Sequence, residues 1–500
     1  MRSAGIWHAS RIATWMLVCV FMVSASGCAV VGQDYARPDI PLSDAWNTRL
    51  NNGSSKSEPD PQELASWWKA LDDPILTGLM DTALENNLDV KKAKERLRQA
   101  RAERSTVQAG LFPTLDASGS ATRSRSSQES GAGSSRTMYS AGFDAGWEID
   151  LFGGVRRSVE AAEADLQASS DTVNDVLVSL TAEVALNYLQ LRMYQARLDV
   201  AEKNLGLQEE TYQLERYRFL AGLSDELAVA QARSNMENTR SRIPTLNIQV
   251  EQAKNGIAVL LGEQPGARHE DLAGHSPLPV IPTEMAIGVP ADILRRRPDV
   301  RQAEQELAAQ TARVGVAQSD LYPKITLNGS IGYEALSAGD LITAGARAWS
   351  YGPRITWPIF RAGSIRANIE VQSALQEQAL IHYESVVLSA LEEVENALVS
   401  YVEEQIRRES LDNAATAARQ AVDCAQNTYD AGLIDFDTLL DSQRTQLSYE
   451  DELAQSESAV IMNLVRVYKA LGGGWTSMAP ETDPLISSQG EPFYGIEQTP

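Results

Sequence analysis

Apolar and polar residues alternate in four short stretches of the chain. In the first, Leu115, Ala117, Gly119 and Ala121 alternate with Asp116, Ser118, Ser120 and Thr122. After a Ser/Gly-rich loop from Ser124 to Thr137, Tyr139, Ala141, Phe143, Ala145, Trp147 and Ile149 alternate with Ser140, Gly142, Asp144, Gly146 and Glu148. The pattern returns in Ile325, Leu327, Ile331 and Tyr333, and again in Trp349, Tyr351, Ile355, Trp357 and Ile359. A period of two gives a strand one apolar and one polar face. Segments of about ten residues with aromatics near their ends fit membrane-spanning β-strands; soluble hairpins lying on a core are the alternative.

Elsewhere the period lengthens. Val173, Leu177, Leu180, Val184, Leu191, Tyr194 and Leu198 step by three and four, skipping Asn187. Tyr383, Val387, Ala390, Val394, Ala397 and Tyr401 repeat the stripe. This is coiled-coil spacing. A helix from Val155 to Leu220 would run about 100 Å at about 1.5 Å per residue, too long for an ordinary core helix.

One offset in residue number relates all of these elements. Asp89 matches Asp299, Leu97 matches Leu307, Pro113 matches Pro323 and Ser120 matches Ser330. Gly222 matches Gly432 at the same offset. The chain is therefore a duplicated body. The expected parts are a signal peptide (1–27), an extended N-terminal arm (28–66), a first repeat (67–262) with a hairpin at 113–149, a connector (263–287), a second repeat (288–472) with a hairpin at 323–360, and a C-terminal tail (473–500). In the first repeat a helix opens at Asp73-Pro74, with Pro74 in its first position, and continues to about Gly110. Gly222 and Gly432 read as C-caps at the tips of helical hairpins. Arg295-Arg296-Arg297 has no copy in the first repeat, and a structural role at a helix start is favoured over phosphate or lipid binding.

The net charge of −23 disfavours nucleic acid as a partner. At the N-terminus, Arg2 and Arg11 supply positive charge ahead of an apolar run, Ile12 to Val23, and Ala25-Ser26-Gly27 leads into Cys28. That is a secretory signal, too short to span a membrane comfortably. Small residues directly before Cys28 resemble the bacterial lipoprotein cleavage site, which implies acylation of Cys28. Ala29 after it resembles the outer-membrane sorting pattern. Cys424 is then the lone thiol of the mature chain and reads as a small packing residue on a helix. The sequence holds no H-E-x-x-H, G-x-S-x-G or phosphate-loop motif, and His8, His269, His275 and His382 are scattered. No enzymatic activity, cofactor or metal is expected.

Four membrane strands cannot close a barrel, and an open edge is not tolerated in lipid. Copies of the chain must complete it. Two copies would give eight strands, an interior filled by side chains; three would give twelve and a passage. Further residues carry a resemblance. They are Cys28, Gly32-Gln33-Asp34-Tyr35 and Arg37-Pro38, then Trp67-Trp68, Asp73-Pro74, Ala83-Leu84 and Asn87. In the second repeat they are Val289-Pro290, Leu294, Arg296-Arg297-Pro298-Asp299-Val300 and Ala303-Glu304. In these the chain resembles the outer-membrane efflux factors, the TolC-like family, in its lipoprotein branch.

The resemblance implies a mixed α and β fold, a long coiled-coil α-helical barrel continued by a transmembrane β-barrel. It implies a homotrimer with twelve strands in all, set in outer-membrane lipid. The implied partners are a periplasmic adaptor (membrane fusion) protein and an inner-membrane pump, usually of the resistance-nodulation-division type. It further implies a periplasmic gate with an acidic ring, onto which Asp441 falls. Asp437, four residues earlier and so on the same helix face, joins it on geometry alone; a solvated helix face is the alternative for both. Gly222, Leu223, Gly432 and Leu433 are candidate adaptor contacts, and Trp147, Trp349 and Trp357 candidate membrane-interface aromatics. A type I protein secretion channel is the alternative within the channel class. A structural coiled-coil periplasmic lipoprotein is the alternative outside it.

Overall fold

The computed structural model describes residues 30–41, 43, 45–48, 54–55, 60–129, 133–274, 278–279, 285–286 and 290–475. The signal segment, Cys28 and the tail from 476 lie outside them. Within the arm expected to be extended, Pro61–Ala65 is helical and Ser54–Ser55 pairs in parallel with Met285–Ala286; the first repeat then opens with a 3₁₀ turn, Trp67–Leu71.

Helix α1 (Pro74–Asn86) starts where the sequence places it. The Asp73 carboxylate accepts the N–H groups of Ile75 and Leu76, and Pro74 occupies a position that needs no donor. The helix expected to continue to about Gly110 is in fact two. Asn87 leaves helical geometry at ψ 135°, and its Nδ2 donates to the Leu260 carbonyl at 2.9 Å. A side chain that finds a backbone partner outside the helix competes with helix propagation. Helix α2 (Leu88–Ala109) begins directly after it.

The hairpin β1 (Thr114–Arg125) and β2 (Ser135–Ile149) extends further into the Ser/Gly loop than the alternation predicts. The long helix α3 (Gly154–Leu220) and its return α4 (Glu226–Leu260) complete the first repeat. The second contains α5 (Pro298–Ser319), β3 (Lys324–Ala335), β4 (Arg347–Thr356), α6 (Ser364–Asp430) and α7 (Phe436–Ala470). Every bound of α5, β3, α6 and α7 stands at the repeat offset from the matching bound of α2, β1, α3 and α4. Strand β4 stops at Thr356, so Trp357 and Ile359 fall outside it, against the expected alternation. Pro358 lacks a ladder donor and restricts the residue before it.

The chain forms two compact units. The first contains residues up to 43, 89–173 and 294–391. Its sheet is antiparallel in the order β1-β2-β3-β4, so β1 and β4 are each paired on one side only among the described residues. The register aligns Ala117, Phe143, Ile331 and Trp349 in one row and Asp116, Asp144, Ser330 and Ser350 in the adjacent row. Apolar residues thus share one face and polar ones the other. Leu294, Val300, Ala303, Tyr383, Val387 and Ala390 form a helical core in this unit, with Ile40 of the arm against it.

The second unit contains 44–88, 174–293 and 392 onward. Trp67 stacks on Tyr468 with ring centroids 5.2 Å apart. Tyr188, fully buried, donates to Asp73 Oδ2 at 2.6 Å. Past Leu198 the buried seam of α3 turns polar, through Asn204, Gln208, Thr211 and Glu215. Cys424 is exposed, not packed as its neighbours suggested; the buried positions there are Val422 and Ala425.

Candidate functional site: hairpin tips and four-stranded sheet

The two long helices end in the same motif. Gly222 and Gly432 both sit at φ 73°. Leu223 N–H donates to the Arg218 carbonyl and Gly222 N–H to that of Phe219. Leu433 and Gly432 make the same bonds to Thr428 and Tyr429. This is the Schellman cap, which needs a left-handed residue at the glycine. The residue after the glycine usually packs back on the helix, but Leu223 and Leu433 are 74% and 75% exposed.

The tips differ in their flanks. Leu220 and Leu227 are exposed beside the first; Asp430 and Asp437 hold the matching positions of the second. Phe436, Leu439 and Leu440 bury one face of α7 against Ala228, Ala232, Ala425 and Tyr429. Asp437 and Asp441 are exposed on the other. Asp437 lies in the first turn of α7, where the helix dipole favours a carboxylate and offsets repulsion from Asp441. Asp441 lies beyond that turn and has no such compensation.

Beneath the tips, Glu215 is completely buried. It accepts the Tyr429 hydroxyl at 2.6 Å and the Ser224 hydroxyl at 2.9 Å. The Arg218 guanidinium lies 4.5 Å from the Tyr429 ring centroid. Burial and the Glu215 carboxylate push the Tyr429 hydroxyl pKa up. This lock escaped the sequence reading. Its only signal is a mismatch between the copies, since Ala425 matches Glu215 and Phe219 matches Tyr429.

In the sheet, Trp147 Nε1 donates to the Leu111 carbonyl at 3.0 Å and Trp357 Nε1 to that of Leu321 at 3.1 Å. The same tie therefore closes both helix-to-strand junctions. Trp349 stands apart, exposed and stacked on Tyr351 at 5.7 Å. On the polar face Ser120 bonds Ser140 and Ser330 bonds Ser350, each at 2.8 Å. A groove of about 640 Å³ crosses the sheet beside Phe143, Ile331 and Trp349. Of the arginine triplet, Arg297 is buried and holds the Asp299 carboxylate through Nε at 3.0 Å and Nη2 at 2.8 Å. It fastens the start of α5, while Arg295 is exposed.

Comparison with known proteins adds a third line. The family model for outer membrane efflux proteins matches residues 79–263 and 289–473, two spans related by the repeat offset. Nodulation protein T of Rhizobium leguminosarum bv. trifolii is 32% identical over 462 residues, 92% of this chain and 97% of that protein. The toluene efflux pump outer membrane protein TtgI of Pseudomonas putida is 31% identical over 467 residues, 91% of this chain and 97% of that protein. Among solved structures, the outer-membrane channel OprN superposes with a TM-score of 0.84 at 39% identity, covering 89% of this chain and 99% of that one. The open-state MtrE channel of Neisseria gonorrhoeae gives 0.77 at 30% identity, covering 89% and 98%.

Proposed function

The chain belongs to the outer membrane efflux protein family, and we propose that it works as the trimeric exit duct of a tripartite efflux pump. Its place is the outer membrane. The observation that carries the duct reading is the sheet, with one apolar face and two edges that, among the described residues, each lack a partner. Lipid does not tolerate such edges; three copies close them into twelve strands around a passage.

The repeat supplies the register of that closure. Strands β2 and β3 pair with residue numbers that sum to 474, as in Phe143 with Ile331 and Trp147 with Leu327. Moving β2 forward and β3 back by the repeat offset gives β4 and β1 and leaves the sum unchanged. Ser350 of one copy then lies opposite Ser124 of the partner subunit. Oxidising Ser124→Cys/Ser350→Cys in a Cys424→Ser background should give covalent trimers, and the purified protein should conduct in planar bilayers. Crosslinking only in a shifted pair would discard the register; absence of conductance would discard the duct.

The remaining parts follow the same reading. Cys28 carries the lipid. Leu223 and Leu433, with Leu220 and Leu227, offer an adaptor an apolar landing at the tips. Asp441, with Asp437 beside it, rings the periplasmic gate with carboxylates. Trp349 near the start of β4 and Trp357 just past its end are eight residues apart, about 27 Å at about 3.4 Å per extended residue, close to the height of an apolar membrane band, and mark its two interfaces. The inner-membrane pump supplies energy and selects the cargo; the duct performs no chemistry.

A further inference from the structure

The sequence reads residues 28–66 as an extended arm; the structure shows a socket made for its first described residues. Arg157, near the start of α3, is 3% exposed although it is an arginine. Its Nε donates to the Val31 carbonyl at 3.1 Å. Its Nη2 donates to the Gly32 carbonyl at 3.1 Å and to Asp34 Oδ1 at 2.8 Å, and its Nη1 is held by Glu160 at 2.6 Å. The Val31 N–H donates to the Phe152 carbonyl at 3.0 Å.

Two glycine contacts make the fit tight. A Cβ on Gly32, at φ 98°, would come within 2.7 Å of Gly315 Cα in α5, and one on Gly153, at φ 82°, within 2.6 Å of Val30 Cγ1. Further along the arm, Arg37 pairs with Glu304 at 2.9 Å, and Tyr35 donates to the same carboxylate at 3.4 Å.

The other repeat provides an internal control. Gly363 has the same backbone as Gly153, φ 86°, but nothing lies within 4 Å of a Cβ placed there. Ala367 stands where Arg157 does, and Ser105 where Gly315 does. A duplicated body has thus acquired a guanidinium in its first repeat and a backbone-sized gap in its second, each without a counterpart at the matching position, and both are filled by residues 30–34.

We infer that Gly153, Arg157 and Gly315 form a receptor for the chain's own N-terminal segment, with Arg157 as its positioning residue. The receptor fixes where the N-terminal anchor enters the membrane. An acyl group on Cys28 would be tethered to an arm seated at the β2–α3 junction. The anchoring role rests on reading Cys28 as acylated; the docking does not.

Hydrogen exchange of the full-length protein in detergent, read by mass spectrometry on peptides covering 29–40, tests this. The wild type should exchange slowly there. Arg157→Met and Gly315→Val should each speed exchange about tenfold or more while β1–β4 are unchanged, and Arg157→Lys should recover part of the protection. If Arg157→Met also loosens β1–β4, Asp34→Asn and Gly32→Val repeat the comparison from the arm's side. Fast exchange in the wild type, or unchanged exchange in the variants that keep their sheet, would overturn the receptor. Cys28→Ser should lose the acyl mass and keep the slow exchange. A wild type with slow exchange and no acyl mass would remove only the lipid reading.

Discussion

Helices α3 and α6 have the same length and the same place in their repeats, yet they meet their surroundings differently. Ala161, Val178 and Leu189 of α3 are buried, while their counterparts Val371, Leu388 and Val399 of α6 are exposed. Val178 is 5% accessible and Leu388 65%. At two of these three positions the apolar side chain is larger on the helix where it faces solvent. Helix α5 covers the first turns of α3, with Arg313 pairing with Asp165 at 2.5 Å and Arg301 with Asp171 at 3.1 Å. The positions matching Asp165 and Asp171 are Leu375 and Ile381, both exposed. Within one chain this contact uses ion pairs; on α6 it is rewritten as an apolar stripe. A stripe of that length calls for a partner, and a second copy offers α2 as the counterpart of α5.

The returning helices differ more subtly. Arg240 of α4 pairs with Glu209 of α3 at 2.7 Å. At the matching positions of the second repeat, Glu450 of α7 pairs with Arg419 of α6, also at 2.7 Å. The bridge is kept with its charges reversed. Duplication preserved the geometry of the contact and left the sign free.

The strongest way to break the comparison is a charge on the stripe. Leu388→Glu should abolish the heat-resistant oligomer on gels while leaving the single chain folded, since each apolar contact of that size contributes about 2 kcal/mol and recurs at every interface. Val178→Glu should instead prevent folding of the chain itself, seen as loss of helical circular dichroism. If both variants assemble, the stripe is not an interface.

Next come two buried residues that match across the repeats. Leu398→Ala should cost about 3 kcal/mol. Tyr188→Phe, at the corresponding position, should cost about 1–2 kcal/mol by leaving Asp73 Oδ2 without its donor. Thermal unfolding in detergent ranks them, and an unchanged melting temperature for Tyr188→Phe would deny the Asp73 bond a role of its own.

At the tips, Gln231 of the first repeat matches Asp441 of the second. Asp441→Ala should raise single-channel conductance or vancomycin sensitivity, and Gln231→Ala should change neither. Unchanged conductance and permeability for Asp441→Ala would withdraw the gate assignment.

The smallest effect should come from the reversed bridge. Burial alone would raise the pKa of Glu450, but bonds from Asn204, Arg419 and Gln446 outweigh it and hold the carboxyl below its usual range. The folded pKa lies below the unfolded one, so this stabilisation is present above about pH 4.5 and fades as pH falls through the folded value. Glu450→Gln should remove about 0.5–1 kcal/mol at pH 7 and little at pH 3. Arg240→Gln, on the exposed version, should leave the melting profile unchanged at both.

Much of this molecule is written locally. The alternation at 113–149 and around Ile325 to Tyr333 locates strands, and the stripes from Val173 and Tyr383 locate helices, because side-chain period depends only on backbone geometry. The cap at Asp73-Pro74 and the stops at Gly222 and Gly432 are legible for the same reason, each being settled within a few residues. The repeat offset then places the second set of elements once the first is known.

The tertiary structure decided the rest. Which strand neighbours which rests on bringing β2 beside β3 across the whole of α3 and α4, and no local pattern specifies that pairing. The break at Asn87 depends on the Leu260 carbonyl, the burial of Glu215 on Tyr429, and the socket at Arg157 on an arm more than a hundred residues away in sequence. Even Cys424, surrounded by small apolar neighbours, turned outward. A periodic pattern states that a face will be buried, but only the folded chain supplies the surface that buries it. The duplicated sequence allowed two equal halves; the contacts each half meets buried α3 beneath α5, seated the arm against both, and left α6 with its stripe exposed.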